Sequence, residues 1–175
     1  AERVNSIVLA ALPLLLPKFE ILHQAGAHHE KAVADTADAL ITDKELRARY
    51  HVFGFLDVEK MKSVLSHAQM AVSRAGSGQI HELAYYGIPA MLIPIPEGIS
   101  HDQRFNAFAY GRTGAATVID EENATPHVLL SEIDRMVSDS SAREAMTRAA
   151  VAFSPANAGE TIATMLLSIG FEHER

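Results

Sequence analysis

The sequence predicts an α/β domain in which a parallel β-sheet carries helices on both faces. Short apolar segments typical of strands alternate with longer segments of helical spacing, and this alternation implies βαβ units. The segment PAMLIP at residues 89–94 is almost continuously apolar, which is typical of a central parallel strand covered on both faces. With 175 residues, of which 48% are hydrophobic, the chain is long enough to bury the core of one such domain.

Apolar periodicity and turn residues give the order of the predicted elements. Apolar residues at helical spacing predict a first helix over Arg3–Leu16, which Pro13 should end or kink. A later helix begins at Pro126 with Thr125 as its expected cap. The other predicted strands are Phe19–His23, Tyr50–Phe55, Met70–Ser73, Pro89–Pro94 and Ala116–Asp120, and the other helices follow Gly26, cover Val58–His67, Gln79–Tyr86 and His101–Tyr110, and start near Ser141 and Asn157.

The composition narrows the possible functions. A net charge of −7 argues against a nucleic-acid partner, because phosphate backbones are bound by clustered Lys and Arg. The absence of cysteine excludes disulfides, thiolate nucleophiles and Cys-bound zinc, and it fits a cytoplasmic protein. The nine histidines form no His-x-x-x-His pair, so we expect no metal and no cofactor. No apolar run reaches the roughly 18 to 20 residues needed to cross a bilayer.

The tetrapeptide Ala75-Gly76-Ser77-Gly78 lies between a predicted strand and the helix that follows it. Ligands bind at the carboxyl ends of parallel strands in open α/β sheets, and the start of a helix favours a phosphate there. This pattern therefore indicates an anion site. The simpler interpretation is a tight turn in which Ser77 is an ordinary helix cap, and the tetrapeptide alone favours that one.

Glu82 lies one turn into the same helix. Ile80, Leu83, Ala84 and Gly87 form the expected inward stripe, so Glu82 should face outwards on the side of Gln79 and Tyr86. A carboxylate can accept hydrogen bonds from both hydroxyls of a ribose. The alternative is a solvated surface glutamate, which is the usual state of that residue.

The segment His101-Asp102-Gln103-x-x-Asn106 follows the apolar strand and opens the next predicted helix. Asp102, Gln103 and Asn106 offer donors and acceptors suited to the hydroxyls of a sugar. Alternatively, Asp102 only complements the helix dipole while its neighbours are solvated. Two polar clusters at neighbouring strand ends favour a real binding site.

Taken together, five segments resemble the C-terminal domain of family 28 glycosyltransferases. They are VNSIVLAALPLLL, HQAG, FGFLD, SRAGSGQIHELAYYGIPAMLIPIP and SHDQRFNA, which between them cover nearly the whole chain. The resemblance implies a Rossmann-like parallel sheet that forms the C-terminal half of a GT-B fold, with its first strand missing upstream of residue 1. It also implies binding of UDP-N-acetylglucosamine and inverting transfer of N-acetylglucosamine to lipid I in peptidoglycan synthesis.

The resemblance assigns roles to individual residues. Leu56 would contact the uracil through its backbone, and Glu82 would hold the ribose hydroxyls. The helix start at Gly76, Ser77, Gly78 and Gln79 would meet the diphosphate and the sugar, although Gln79 stands where a small hydroxyl residue is frequent. Asp102, Gln103 and Asn106 would bind the hydroxyls of N-acetylglucosamine. These residues all serve the donor, so none of them is expected to be a catalytic base.

The resemblance also implies partners outside this sequence. The family's G-G-S-x-G loop and its N-terminal domain, which holds the lipid I acceptor, the base and the membrane-docking surface, are expected upstream. The full-length protein would then lie on the inner face of the cell membrane. Two alternatives stay open. The first is a non-catalytic nucleotide-sugar-binding subunit of a split glycosyltransferase; the second is a dinucleotide-binding or UDP-sugar epimerase-like domain, against which the missing G-x-G-x-x-G weighs.

Overall fold

Five parallel strands, divided between two sheets, form the framework of the protein. The computed structural model describes residues 2–96, 98–99, 101–154 and 157–173. The strands are β1 Ile21–Gln24, β2 Tyr50–Phe53, β3 Ala71–Ser73, β4 Ala90–Leu92 and β5 Ala116–Val118. Strands β1 and β2 pair in one sheet, and β3, β4 and β5 pair in that order in the other. All three pairings are parallel, as the sequence predicted.

Nine helices and one 3₁₀ turn are found among the described residues. The helices are α1 Glu2–Leu15, α2 Glu30–Leu40, α3 Lys44–Arg47, α4 Val58–His67, α5 Ser77–Tyr85, α6 His101–Gly111, α7 Pro126–Ser138, α8 Ser140–Phe153 and α9 Ala158–His173, and the 3₁₀ turn is Glu121–Asn123. The sequence predicted neither α3 nor the 3₁₀ turn. Pro13 does not end α1, which continues to Leu15. Thr125 caps α7 as expected, accepting a hydrogen bond from the Val128 amide at 3.3 Å.

Helix α1 joins the two sheets, because its side chains enter two separate hydrophobic clusters. Leu9, Leu12 and Leu16 pack with α2 and with residues of the β1–β2 sheet. Ile7, Ala11 and Leu15 pack with residues of β4 and with α7. Ala11 and Leu12 are fully buried. The described strands of the two sheets share no hydrogen-bond ladder. Side-chain packing on α1 therefore connects the two sheets.

Strand β4 is buried on both faces, which confirms its predicted central place. Ala90 and Leu92 face a cluster that includes α5, α6 and α8 residues, whereas Met91 faces the cluster that contains α1 and α7. Helices therefore cover both faces of the three-stranded sheet. The described side chains of α9, by contrast, are all exposed. None of the helices in the described part of the chain is long and apolar enough to cross a membrane.

A buried polar network ties α1 to the two-stranded sheet. The Asn5 side chain donates to the Ala25 carbonyl at 2.9 Å, which leaves its Oδ1 as the partner of His23 Nε2 at 3.1 Å. His23 Nε2 must then carry the proton, so Nδ1 accepts a hydrogen bond from the Tyr50 hydroxyl at 2.7 Å. Burial lowers the pKa of His23 to about 4. The network is satisfied by the neutral imidazole.

We expect Leu12→Ala to lower the free energy of unfolding by about 2–5 kcal/mol, because it leaves a cavity in the cluster that packs α1 against α2 and the β1–β2 sheet. Urea titration followed by circular dichroism measures the change. Leu40→Ala removes the same atoms from a helix at a side chain that is 47% exposed, and it should cost less than about 1 kcal/mol. Equal losses in the two variants would contradict the role assigned to α1.

The neutral His23 also predicts a pH dependence of stability. The unfolded imidazole titrates near 6.5 and the folded one near 4, so the unfolded chain binds more protons between these values. Stability is therefore complete above pH 6.5 and falls by up to about 3 kcal/mol as the pH drops to 4. His23→Gln should flatten this slope in chemical denaturation series, whereas His67→Gln, at an exposed position, should keep it. An unchanged slope in His23→Gln would contradict the assignment.

Candidate functional site

The start of helix α5 forms an exposed set of backbone donors at the carboxyl end of β3. Gly76 is the N-cap residue, with φ −65° and ψ 143°, and the Ile80 amide makes the first helical bond to its carbonyl at 3.0 Å. The amides of Ser77, Gly78 and Gln79 therefore precede the helical ladder, and all three residues are exposed. Ser77 is the first helical residue and not the cap, so the simple capping interpretation is wrong for it. An anion is the natural ligand of such a helix start.

The glycines keep this surface open. A Cβ at Gly78 would meet no atom within 4 Å, so the helix start is bordered by free space on that side. At Gly76 a Cβ would lie 3.2 Å from Gln79 Oε1. The Gln79 side chain thus folds back over the cap residue. Its carboxamide occupies the place where a ligand that approaches Gly76 would arrive.

Gln103 and Asn106 hold the β3–α5 turn from the side of α6. Gln103 Oε1 accepts hydrogen bonds from the Ala75 and Ile95 amides, both at 3.3 Å, and so links the segments that follow β3 and β4. Asn106 Nδ2 donates to the Ala75 carbonyl at 3.5 Å. These bonds bring two of the three predicted sugar-binding residues next to Gly76. They also commit Gln103 Oε1 to the Ala75 and Ile95 amides.

Asp102 and Glu82 are placed differently from Gln103 and Asn106. Asp102 lies in the first turn of α6 and is exposed. Glu82 is also exposed, while the predicted inward stripe of Ile80, Leu83, Ala84 and Gly87 is buried. The prediction that Glu82 faces outwards on α5 is therefore confirmed. The side chain of His101 lies outside the described residues.

Arg74 is a residue at this site that the sequence interpretation missed. Its Nη1 donates to the carbonyls of Ile93 and Pro94, both at 3.1 Å, and its Nη2 forms an ion pair with Glu121. The Arg74 and Glu121 side chains are only 16% and 18% exposed. Arg74 therefore links the end of β3 to the segment after β4 and to the 3₁₀ turn that follows β5. Two sequence features could have indicated this ion pair: the arginine in the motif SRAGSG and the acidic pair after β5.

Leu56 belongs to the other sheet, where it follows β2. Its side chain is buried, and its amide donates to Gln24 Oε1 at 2.9 Å, so the last residue of β1 holds it in place. The next residue, Asp57, caps α4 by accepting from the Lys60 amide at 2.9 Å. This capping bond lowers the pKa of Asp57. Leu56 is thus fixed on one side by Gln24 and on the other by the capped start of α4. The sequence interpretation did not identify Gln24 as its partner.

The predicted site residues therefore form two groups at the carboxyl ends of parallel strands. Gly76, Gln103 and Asn106 are joined by the bonds around Ala75. Leu56 is held separately at the end of the two-stranded sheet. Among the residues that the structure describes, no three His, Cys, Asp or Glu side chains are grouped so that they could hold a metal ion.

Comparison with known proteins identifies the family to which this chain belongs. The chain matches the profile of the glycosyltransferase family 28 C-terminal domain over residues 1–162. The UDP-N-acetylglucosamine–N-acetylmuramyl-(pentapeptide) pyrophosphoryl-undecaprenol N-acetylglucosamine transferase of Paenarthrobacter aurescens is 32% identical over 168 residues, which cover 95% of this chain and 43% of that protein. The protein of the same name from Synechococcus is 36% identical over 139 residues, which cover 79% of this chain and 36% of that one.

Solved structures show the same fold. MurG of Acinetobacter baumannii superposes with a TM-score of 0.73 at 23% identity, covering 95% of this chain and 48% of that one. The calicheamicin glycosyltransferase CalG4 superposes with a TM-score of 0.67 at 18% identity, covering 94% of this chain and 40% of that one.

The fold is that of the C-terminal half of a GT-B glycosyltransferase, which confirms the predicted fold class. Within that class, the chain belongs to the family 28 C-terminal domains. It spans less than half the length of the curated relatives described above. The expectation of a further strand upstream stays a prediction.

We expect Arg74→Met to lower the free energy of unfolding by about 2–4 kcal/mol, because it leaves the partly buried Glu121 carboxylate without its cation. Thermal and urea unfolding measure the loss. Arg148→Met is the matched control, since Arg148 pairs with Glu144 at 3.9 Å on the surface, where both side chains are 72% exposed. It should change stability by less than about 1 kcal/mol. A comparable loss in both variants would contradict the role of Arg74.

Proposed function

We propose that this chain is the donor-binding domain of an inverting glycosyltransferase that transfers N-acetylglucosamine from UDP-N-acetylglucosamine to lipid I. The observation that carries the proposal is the exposed start of α5, which is braced by Gln103 and Asn106. There, a helix start that can bind an anion lies next to the amide side chains of Gln103 and Asn106, at the carboxyl end of β3. The printed name of the relatives above, an N-acetylglucosamine transferase acting on a pyrophosphoryl-undecaprenol, supplies the donor sugar and the lipid.

The diphosphate of the donor lies at the α5 start in this proposal. The free amides of Ser77, Gly78 and Gln79 donate to its oxygens, and the positive end of the helix dipole stabilises the charge that the UDP group carries as it leaves. The open space at Gly78 admits the phosphates. The Gln79 carboxamide, which lies over Gly76, either bonds the phosphate or turns aside when the donor binds.

The sugar and the ribose lie on opposite sides of the diphosphate. Glu82, exposed one turn into α5, accepts hydrogen bonds from the ribose hydroxyls. Asp102, Gln103 and Asn106 at the start of α6 bind the hydroxyls of N-acetylglucosamine. Since Gln103 Oε1 is engaged by two backbone amides, Gln103 acts on the sugar as a donor through Nε2. Leu56 contacts the uracil through its backbone.

The chemical step needs residues outside this chain. An acceptor hydroxyl attacks the anomeric carbon on the face opposite UDP, so the configuration inverts as the bond to UDP breaks. We place the base that removes the hydroxyl proton, and the lipid I site, in an N-terminal domain. Undecaprenyl lipids reside in membranes, so the whole protein would work peripherally at the inner membrane face.

Glu82→Gln tests the donor site. The variant keeps the size of the side chain and removes the charge, and we expect it to weaken UDP-N-acetylglucosamine at least tenfold, since a charged hydrogen-bond acceptor is lost. Isothermal titration calorimetry on the 175-residue chain measures the affinity. Glu59→Gln, in the first turn of α4, makes the same chemical change elsewhere and should leave the affinity unchanged. Equal affinity in wild type and Glu82→Gln would contradict the proposed site.

A further inference from the structure

Strands β3 and β4 separate just before the start of α5. Their last backbone bond runs from the Ile93 amide to the Ser73 carbonyl at 2.8 Å. In the observed parallel register, the next step of the ladder would join the Ala75 amide to the Ile93 carbonyl. The same step would join the Ile95 amide to the Ala75 carbonyl. It therefore involves four backbone groups, two amides and two carbonyls.

Side chains bond all four of these backbone groups. Gln103 Oε1 accepts from both amides, each at 3.3 Å. Asn106 Nδ2 donates to the Ala75 carbonyl at 3.5 Å, and Arg74 Nη1 donates to the other carbonyl at 3.1 Å. Three side chains thus take the place of the ladder where the strands separate. Two of them are predicted sugar-binding residues, and the third is Arg74.

The Arg74 guanidinium holds three partners at once. Besides the Ile93 carbonyl, its Nη1 bonds the Pro94 carbonyl at 3.1 Å, and its Nη2 pairs with Glu121. Glu121 is the first residue of the 3₁₀ turn that follows β5. A guanidinium presents several donors in one rigid plane, whereas the ammonium of lysine is a compact point charge. Lysine at this position would keep the charge but could not hold all three partners.

Arg74 thereby sets the spacing of the two amides that bind Gln103. The Ala75 amide belongs to the residue after Arg74. The Ile95 amide belongs to the residue after Pro94, whose carbonyl Arg74 holds. A single oxygen can accept from both amides only while they stay close together. Without the guanidinium, the segment after β4 is free to shift, and Gln103 loses one of its two bonds.

We propose that Arg74 is a positioning residue for the donor sugar, which holds Gln103 through these two amides in the orientation that binds N-acetylglucosamine. This inference rests on the proposed function, in which the sugar binds at the start of α6 and the diphosphate at the start of α5. Helix α5 is anchored by its own buried residues, Ile80, Leu83 and Ala84. Arg74 therefore acts on the sugar and leaves diphosphate binding largely unchanged.

A second arginine of this chain provides a matched control. Arg49 Nη1 donates to the carbonyls of Leu16 and Pro17, both at 3.2 Å. Arg49 lies just before β2, at the amino end of a strand, whereas Arg74 follows the carboxyl end of β3. Arg49→Lys and Arg74→Lys thus make the same chemical change to the same kind of contact, but only the second lies beside the candidate site.

Calorimetry on the 175-residue chain with UDP-N-acetylglucosamine and with UDP, well below the unfolding temperature, separates sugar binding from diphosphate binding. We expect Arg74→Lys to weaken the nucleotide sugar about tenfold and UDP by less than about twofold. Amide hydrogen exchange at Ile95 should become faster in this variant, because its bond to Gln103 is lost. Arg49→Lys should leave both affinities and this exchange rate unchanged.

A double substitution tests whether Arg74 acts through Gln103. In a Gln103→Ala background the sugar contact is already absent, so Arg74→Lys should weaken the nucleotide sugar by less than about twofold more. A further tenfold loss would contradict this path. If Arg74→Lys does not fold, Glu121→Gln gives the same readout, because it removes the charge that orients the guanidinium. It should weaken the nucleotide sugar about threefold and leave UDP unchanged.

Wild-type affinity for the nucleotide sugar in folded Arg74→Lys, with binding that still depends on Glu82, would overturn this inference and leave the proposed function intact. Equal losses for UDP and the nucleotide sugar would also overturn it, since Arg74 would then support the whole site. Nucleotide-sugar binding that ignores both Glu82→Gln and Gln103→Ala would contradict the proposed function, and the role of Arg74 would fall with it.

Discussion

The burial of α1 on two sides is the constraint on which the rest of the structure depends. The described strands form two sheets with no hydrogen-bond ladder between them, and the side chains of α1 pack into a hydrophobic cluster with each of them. The buried His23 network adds directional bonds to this packing, since Asn5 of α1 reaches the end of β1. The candidate ligand contacts lie at the segment after β2 and at the starts of α5 and α6.

Several polar side chains also hold loops to the ends of strands. The side chains of Gln24, Arg74 and Gln103 each form hydrogen bonds with backbone groups of a neighbouring segment. Such bonds fix the loops before any ligand arrives, and a rigid site loses less conformational entropy on binding. Residues that sequence interpretation assigns to a ligand can therefore serve the loop and the ligand at once. Gln103 would do so under the proposed function, since its Oε1 accepts from two backbone amides and its Nε2 would donate to the sugar.

The order and type of the main elements could be predicted from the sequence, because apolar periodicity and turn residues mark them directly. Val58–His67 was predicted with the observed bounds, and β4 was recognised as central from its continuous apolar run. Strand β4 ends at Leu92, although the apolar run continues and the Ile93 amide still donates to the Ser73 carbonyl at 2.8 Å. Helix α3 has only four residues and no apolar face to give a periodic signal.

For the site, residue types indicated Glu82 and the α6 cluster, but no sequence pattern shows that the Arg74 and Gln24 side chains reach backbone groups far along the chain.

The division into two sheets has a consequence for the length of a ligand. Under the proposed function, the base is read by the β1–β2 sheet, whereas the diphosphate and sugar are held by the β3–β4–β5 sheet. The separation of these contacts then depends on how the two sheets pack with α1, whose side chains enter a cluster on each side. Under the proposed function, the α1 side chains that stabilise the core therefore also bear on how well the donor fits.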